Sequence, residues 1–261
     1  MTPAPILDLP VERFPTACRE REYGDGKRCW RGLWRRWQHL PAEPLHIVGT
    51  LASGYIAPLD GALHLDGLLS AACLSLWASV VDDGIERYVI PLPLALAWAS
   101  PAGDPLWLAS DLRPIGAASR GSAYLHSRYP SERADLAVRQ TAPTKAGRYK
   151  DVRMPLAVTV TAAVEGWCIG DRNAVTMLLD RVWHVGRKGA HGRGRVLSWQ
   201  IEPAPEIDAD YILDHRNVPV AYLAAKGLAV APERLSPRLG WTPPYWHPAS
   251  MAAVRTALRQ G

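Results

Sequence analysis

Hydrophobic and polar residues follow two periods along the chain, and these periods predict most of its regular elements. Alternation over residues 45–56, in "LHIVGTLASGYI", predicts a strand, because successive side chains of a strand point to opposite faces. Apolar residues at helical spacing from Leu69 to Val80 predict a helix that Asp66 caps and Gly84 ends. The chain therefore enters its regular part with a strand followed by a helix.

Two further strands follow this helix, and the periodicity then disappears. Residues 86–98 and 105–114 predict strands joined by a turn that contains proline and glycine. From 115 to 150 the sequence is polar and basic without a repeating pattern. A stretch of this length without regular structure is typical of a functional or disordered segment, so we expect a long insertion.

A strand, a helix and a last strand follow the insertion. Residues 154–169 show the β-branched alternation of a long strand. The apolar residues that come next lie on one helical face; Asp171 or Asn173 is expected to cap this helix, and Gly186 suits the left-handed position after it. Residues 195–202 alternate again and predict a strand.

The order of these elements predicts an α+β fold of the ferredoxin-like, RRM-type βαββαβ arrangement. Both helices would cover one face of the sheet and leave the other face open for RNA. We expect a basic, tryptophan-rich N-terminal extension over 1–44 and a ferredoxin-like domain over 45–202, with residues 115–150 inserted in it. Residues 203–261, rich in proline and aromatic residues, would form a C-terminal segment packed on that domain.

Composition and charge narrow the function classes only slightly. The 261 residues are 48% hydrophobic with a formal net charge of +5, which fits a slightly basic globular protein and a nucleic-acid binder equally well. The cations cluster in residues 19–36, 145–153 and 187–195. No signal peptide and no apolar run of membrane-spanning length are recognisable, so we expect a soluble cytoplasmic protein without membrane contact.

Four glycines alternate with cations in residues 186–195, "GRKGAHGRGR", which we name the glycine loop. Glycine is used where the backbone turns with positive φ or approaches a ligand closely, and the cations indicate an anionic ligand. The loop precedes a strand, whereas a P-loop or a Rossmann fingerprint precedes a helix. Two interpretations remain: a site that holds an anion with cations and amides, or a solvated basic hairpin without a ligand.

Metal-ligating and acidic residues form no pattern that we interpret as a metal or cofactor site. Asp60 and Asp66, which flank His64, are explained better by a turn and a helix cap than by a metal or acid–base cluster. Cys73 and Cys168 lie in apolar runs and are expected to be buried thiols. A zinc site would have to combine the following residues, whose spacing differs from that of common zinc fingers: Cys18, Cys29 and either His39 or His46.

Four sequence blocks resemble a known family when they are taken in order. They are "PLDGALHLDGLLSAAC" (58–73), "TKAGRYKDVRMP" (144–155), "WCIGDRNAVTMLLDRVWHVGRKGAHGRGRV" (167–196) and "GWTPPYWHP" (240–248). The chain resembles the RAMP superfamily of CRISPR-associated proteins, in particular the Cas-five-type subunit of type IV CRISPR effector complexes. The resemblance implies a non-catalytic subunit that caps the 5′ handle of the CRISPR RNA and contacts the backbone and large subunits.

The resemblance also implies which residues contact RNA and which contact partners. The insertion would be a thumb-like extension that reaches the neighbouring backbone subunit. The implied RNA-binding residues are Arg187, Lys188, Gly189, His191, Gly192, Arg193, Gly194, Arg195, Lys145, Arg148, Tyr149, Lys150 and Arg153. The resemblance gives no counterpart for residues 1–44. In that N-terminal extension Trp30, Trp34 and Trp37 lie at helical spacing, with arginines on the other faces. This stripe either packs on the main domain or contacts the large subunit or target DNA, and the candidate contact residues are Arg31, Trp34, Arg35 and Trp37.

Two alternatives to the capping subunit stay open. Some relatives in the superfamily cleave RNA without metal, which requires a general acid and a general base at the 2′-OH and the leaving oxygen. His191 is the best candidate, because a histidine in a cationic loop titrates near neutrality, with His184, Lys188 and Tyr149 as further candidates. The second alternative is a scaffold whose tryptophan-rich surfaces join protein subunits without contacting RNA.

Overall fold

The computed structural model describes residues 37, 39–58, 61–76, 90–127, 152–187, 189–245 and 248–257. Within these residues the fold is mixed α+β, with more strand than helix. The elements are β1 (Glu43–Leu51), β2 (Leu63–His64), α1 (Leu65–Leu76), β3 (Leu96–Ala99), β4 (Pro105–Trp107), β5 (Asp111–Pro114), β6 (Ser119–Ser127), β7 (Val152–Val160), β8 (Ala163–Gly170), α2 (Arg172–Leu179), β9 (Val196–Pro203), α3 (Ala209–Asp214), β10 (Val218–Pro219), α4 (Val220–Ala225), β11 (Leu235–Gly240) and β12 (Met251–Arg255).

The central sheet has five antiparallel strands in the order β2-β5-β8-β1-β9. β1 lies between β8 and β9, with Leu45 opposite Cys168 and Ile47 opposite Ile201. The strands predicted over 45–56, 154–169 and 195–202 correspond here to β1, β8 and β9, and these three strands are neighbours in the sheet. More than a hundred residues separate β1 from β8 along the chain. A smaller sheet, β10-β12-β11, and the two hairpins β3-β4 and β6-β7 complete the described strands.

Helices α1 and α2 pack together on one face of the central sheet. The predicted cap of α2 is confirmed for Asp171, whose carboxylate accepts a hydrogen bond of 2.8 Å from the backbone N–H of Ala174. Cys73 and Cys168 are buried in this core as predicted, and burial raises the pKa of both thiols well above the usual range. The core also contains these side chains: Leu45, Ile47, Leu65, Leu69, Val164, Val175, Leu178 and Leu179.

The opposite face of the sheet is covered around Trp167, where the sequence predicted an open face. Trp167 is only 6% exposed, because two aromatic rings cover it. The Tyr211 ring contacts it edge-on, with 5.3 Å between the ring centroids, and the centroid of the His215 ring lies 6.1 Å from that of Trp167. Both residues belong to α3 and the turn after it, so part of the C-terminal segment packs on the sheet. The same core contains Leu106, Leu108, Ile169, Ala204, Ile212, Leu213, Val218, Tyr222, Leu223, Trp241 and Val254.

The predicted insertion contains a strand that the sequence pattern did not indicate. β6 pairs with β7 over nine residues, from Ser119 opposite Val160 to Ser127 opposite Val152. The strand predicted over 154–169 is accordingly two strands, because β7 pairs with β6 whereas β8 pairs with β1. Residues 128–151, which include the rest of the insertion, lie outside the described residues.

Two predicted helix boundaries are wrong. Asp66 does not cap α1, which begins one residue earlier at Leu65, and its carboxylate binds other partners. Gly186 does not follow the end of α2, because that helix ends at Leu179 and Asp180 is its C-cap. The predicted end of α1 at Gly84 lies outside the described residues.

The side chain of Arg216 is fully buried and joins distant parts of the fold. It donates hydrogen bonds to the backbone carbonyls of Trp107, Ala109 and Trp241, the last two at 3.0 and 2.7 Å, and to Asp66 Oδ2 at 3.1 Å. Burial alone would lower the pKa of Arg216, but the carboxylate of Asp66 raises it, so the guanidinium stays charged.

Tyr245 completes this buried network. Its hydroxyl donates to Asp66 Oδ1 at 2.5 Å and accepts from Arg216 at 3.2 Å. Burial raises the pKa of the Tyr245 phenol well above its usual value, and the adjacent Asp66 carboxylate raises it further. The phenol therefore remains a donor, and its ring stacks on His64 with 3.6 Å between the ring centroids.

We predict that Asp66→Ala lowers the free energy of unfolding by about 3–5 kcal/mol, because it leaves a buried guanidinium without its counter-ion. Urea denaturation of the full chain measures the effect. Asp214→Ala is the matched control: its carboxylate is 39% exposed and pairs with Arg255 and Arg234, and it should cost less than about 1 kcal/mol. Equal losses in the two variants would contradict the prediction.

Candidate nucleic-acid interface

The glycine loop is the tip of a short antiparallel ladder. The backbone N–H of Val185 donates to Gly194 O at 2.8 Å, and the N–H of Val196 donates to Trp183 O at 2.9 Å. His184 lies opposite Arg195 in the same ladder. The chain therefore reverses between α2 and β9 in a hydrogen-bonded hairpin with fixed ends.

A second set of hydrogen bonds fixes the loop to residues 52–56, which we name the β1 linker. The bonds are Ala52 N–H to Arg195 O at 2.8 Å, Gly194 N–H to Gly54 O at 3.0 Å, Arg187 N–H to Ile56 O at 2.8 Å and Ser53 Oγ to Gly192 O at 2.9 Å. They join the loop to the segment that follows β1, the strand paired with β9 in the central sheet. The loop is thus held at both ends and along its side.

Two of the loop glycines are required by the protein's own packing. Gly186 and Gly194 have φ of +76° and +66°, and a Cβ at these positions would collide with the carbonyl oxygens of Ile56 and Val185. Gly192 also has a positive φ, +72°, but a Cβ there would meet nothing within 4 Å. Of the predicted RNA-binding glycines, Gly194 is buried and its N–H and C=O both bond to the protein, so its backbone is not offered to a ligand.

The glycine loop presents basic side chains to solvent. Arg187, His191 and Arg195 are exposed and Arg193 is half-buried, whereas Lys188 lies outside the described residues. The sequence from 181 to 196 contains no acidic residue, so these charges have no local counter-ion in the loop. Exposed guanidinium groups on a fixed backbone are suited to contact phosphates.

The β6-β7 hairpin reaches the other side of the β1 linker. Tyr55 and Thr159 exchange two backbone hydrogen bonds of 2.9 and 2.8 Å. Arg153, one of the predicted RNA-binding residues, is exposed on β7, with its guanidinium 4.2 Å from the centre of the Tyr124 ring. The structure thus places Arg153 and the glycine loop on elements that share the β1 linker, while Lys145, Arg148, Tyr149 and Lys150 lie outside the described residues.

The opposite face of the sheet is a weaker candidate for RNA binding. Its charges pair with one another, since Glu165 accepts from His46 at 2.9 Å and from Arg113 at 3.0 Å. Arg113 also covers the Trp167 ring at 4.4 Å, so that ring is not available for stacking. The sequence analysis did not anticipate this cluster, whose members come from three strands.

The predicted contacts of the N-terminal extension and the predicted chemistry are only partly described. Trp37 is 7% exposed and belongs to the core, so it packs on the main domain. Arg31, Trp34 and Arg35, the zinc candidates Cys18 and Cys29, and Asp60 lie outside the described residues. Among the residues that are described, no group of three or more His, Cys, Asp or Glu could hold a metal ion.

Trp183 is an exposed aromatic residue beside the glycine loop that the sequence analysis did not select. It lies next to a cleft of about 510 Å³ whose other walls are His184, Gly189, Ala190, Gly192, Arg195 and Val196. Its signal in the sequence is that it follows Val182, on the polar side of the predicted helix. The sequence pattern predicts a helix that continues to Gly186, and in such a helix residue 183 would be an ordinary solvent-facing position. The helix ends at Leu179 instead, so the sequence pattern provided no reason to select Trp183.

Comparison with known families finds a match that covers most of the chain. Residues 43–257 match the family of CRISPR type IV associated protein Csf3. Because the match spans most of the chain, the protein belongs to this family, and membership implies a place in a type IV CRISPR complex. A search of curated proteins finds no match.

The type IV CRISPR part of the resemblance is therefore confirmed. The family match begins at residue 43 and leaves the N-terminal extension outside it. No helix in the described ranges is long and apolar enough to cross a membrane.

We predict that Gly194→Ala destabilises the protein more than Gly192→Ala does. Both substitutions carry the cost of a left-handed backbone, about 1–2 kcal/mol, but only the first adds a collision with the carbonyl of Val185. Urea denaturation and amide hydrogen exchange at Val185 measure the difference, with faster exchange expected in Gly194→Ala. Similar stability and exchange in the two variants would show that position 194 is not constrained by packing.

Proposed function

We propose that the protein is the subunit that binds the 5′ handle of the guide RNA in a type IV CRISPR effector complex. The observation that carries this proposal is the glycine loop, whose exposed cations stand on a backbone fixed by the β1 linker. A fixed cationic loop contacts a phosphate backbone with little loss of conformational freedom. Family membership supports RNA as the polyanion, because CRISPR complexes contain a guide RNA.

We assign the central sheet to the ferredoxin-like fold of the RAMP superfamily. The order β9-β1-β8-β5 is the order last, first, third, second of a βαββαβ unit, which supports this assignment. The two helices also occupy the expected places, α1 after the first strand and α2 between the third and last. Within this fold the glycine loop connects the second helix with the last strand.

The β6-β7 hairpin is the described part of the proposed thumb-like extension. It carries Arg153 and Tyr124 as an exposed cation–π pair, which suits contact with an RNA strand or with a neighbouring subunit that holds RNA. Its bonds to Tyr55 connect it to the same linker as the glycine loop. We therefore propose that the hairpin and the loop contact consecutive parts of one ligand. The backbone subunits and the large subunit of the complex would lie next to these two elements.

We propose that the subunit holds the guide and does not cleave it. Of the general acid–base candidates, His191 is exposed in the 3₁₀ turn Gly189–His191, where bulk water surrounds it. His184 is half-buried and packs against the backbone at Gly189. Cleavage of a guide precursor by the full chain, abolished in His191→Ala, would instead support the endoribonuclease.

The experiment that tests the proposal is purification of the tagged full chain from cells that express its neighbouring genes, followed by sequencing of the bound RNA. We expect small RNAs that share one defined 5′ end. Partners that copurify without RNA would support the scaffold alternative and would contradict RNA binding.

We predict that Arg193→Ala combined with Arg195→Ala weakens binding of an oligonucleotide with that 5′ sequence. The plot of log affinity against log salt has a negative slope, and the magnitude of this slope should fall by about 0.7 for each phosphate that the variant no longer neutralises. Fluorescence anisotropy at a series of salt concentrations measures both effects.

The matched control is Lys226→Ala combined with Arg238→Ala, two exposed cations of the C-terminal segment. It changes the net charge equally and should leave the affinity and the salt slope near wild type. The same decrease in both double variants would show that net charge, and not the loop, determines binding.

A further inference from the structure

Trp183 has a fixed indole ring that the fold leaves in solvent. It is 71% exposed, the largest value among the described large apolar side chains. Its Nε1–H donates to Asp180 O at 3.1 Å, and its own backbone carbonyl accepts from Val196 at 2.9 Å. The polar edge of the indole is therefore bound to the protein while much of its apolar surface is left to a ligand.

Clefts lie on two sides of this ring. The first, about 320 Å³, lies between the ring and α1, with Leu68, Ala71, Ala72 and Ser75 on its wall. The second, about 510 Å³, lies between the ring and the glycine loop. Trp183 and His184 line both clefts, so the ring has open space next to it on the side where the cations stand.

The chemistry of the larger cleft favours a nucleobase over an apolar peptide. Its wall on the loop side consists of Gly189, Ala190, Gly192 and Arg195, and besides Trp183 the apolar side chains that line it are those of Ala190 and Val196. Gly189 has to be small, because a Cβ there would lie 2.9 Å from the Cβ of His184. An open cleft lined by an aromatic ring and an arginine can hold a flat ring that is attached to a phosphate.

We propose that Trp183 stacks on an unpaired base of the RNA strand whose phosphates the glycine loop holds. This inference rests on the proposed function, which it deepens by assigning a base-binding site next to the phosphate-binding one. Arg195 belongs to both, since it lines the cleft and stands in the cationic loop. Stacking on an indole tolerates any base, so the site contributes affinity and positions the strand without reading its sequence.

The test measures binding of two probes to the full chain by fluorescence anisotropy. One probe is a labelled eight-nucleotide oligoadenylate, and the other is a strand of equal length in which every base is absent. Trp183→Ala should weaken oligoadenylate binding roughly tenfold and leave the abasic strand unchanged, because only the first probe can stack. Trp183→Phe should retain most of the affinity, since it keeps an aromatic face.

The control substitution is Leu197→Ala, which removes another highly exposed apolar side chain, 61% exposed, from the adjoining strand. It should change binding of neither probe. Circular dichroism and urea denaturation of Trp183→Ala should match wild type, because the ring contributes little buried area.

Four results would overturn the inference. Wild-type affinity of Trp183→Ala for oligoadenylate, or an equal decrease for both probes, would remove the stacking role while the proposed function stands. Failure of the wild-type chain to bind either probe would count against the proposed function itself. Trp183→Ala could also lose its copurifying protein subunits while its affinity for RNA stays unchanged. That result would identify the ring as a protein-docking surface instead.

Discussion

The guanidinium group of Arg216 is a buried charge on which three distant segments of the chain converge. A charge removed from water costs several kcal/mol unless partners replace the hydration. Here the carboxylate of Asp66, the carbonyls between β4 and β5, and the aromatic segment around Tyr245 provide that replacement together. Arg216 in turn compensates the buried charge of Asp66, so the C-terminal segment has one favourable position on the sheet.

This constraint decides which surfaces remain for a ligand. Because the C-terminal segment is fixed, Tyr211 and His215 cover Trp167, and the aromatic ring at the centre of the opposite sheet face is not accessible to RNA. The helices cover the other face. The edge where the glycine loop, the β1 linker and the β6-β7 hairpin meet is a cationic surface that the described fold leaves exposed, and this exposure supports the proposed function together with the loop itself.

The local elements could be predicted from the sequence, and the distant contacts could not. The cap at Asp171, the buried thiols and the strand before Pro203 follow from neighbouring residues. Asp66 and Arg216 are 150 residues apart, so the pattern around Asp66 supports a helix cap equally well. The residues of β6 from 119 to 124, whose burial is described, are exposed or half-buried on both sides of the strand, so the sequence there has no apolar alternation to indicate a strand.

The glycine loop stays the candidate site, and the structure gives a reason for two of its glycines that differs from the sequence interpretation. Gly186 and Gly194 permit close contact of the chain with itself, and this contact makes the loop rigid. A rigid loop presents its cations in one arrangement before a ligand arrives, so binding requires less ordering than a flexible loop would. In the proposed function, RNA is contacted by the guanidinium groups and by the indole of Trp183, and the glycines contribute by holding those side chains in place.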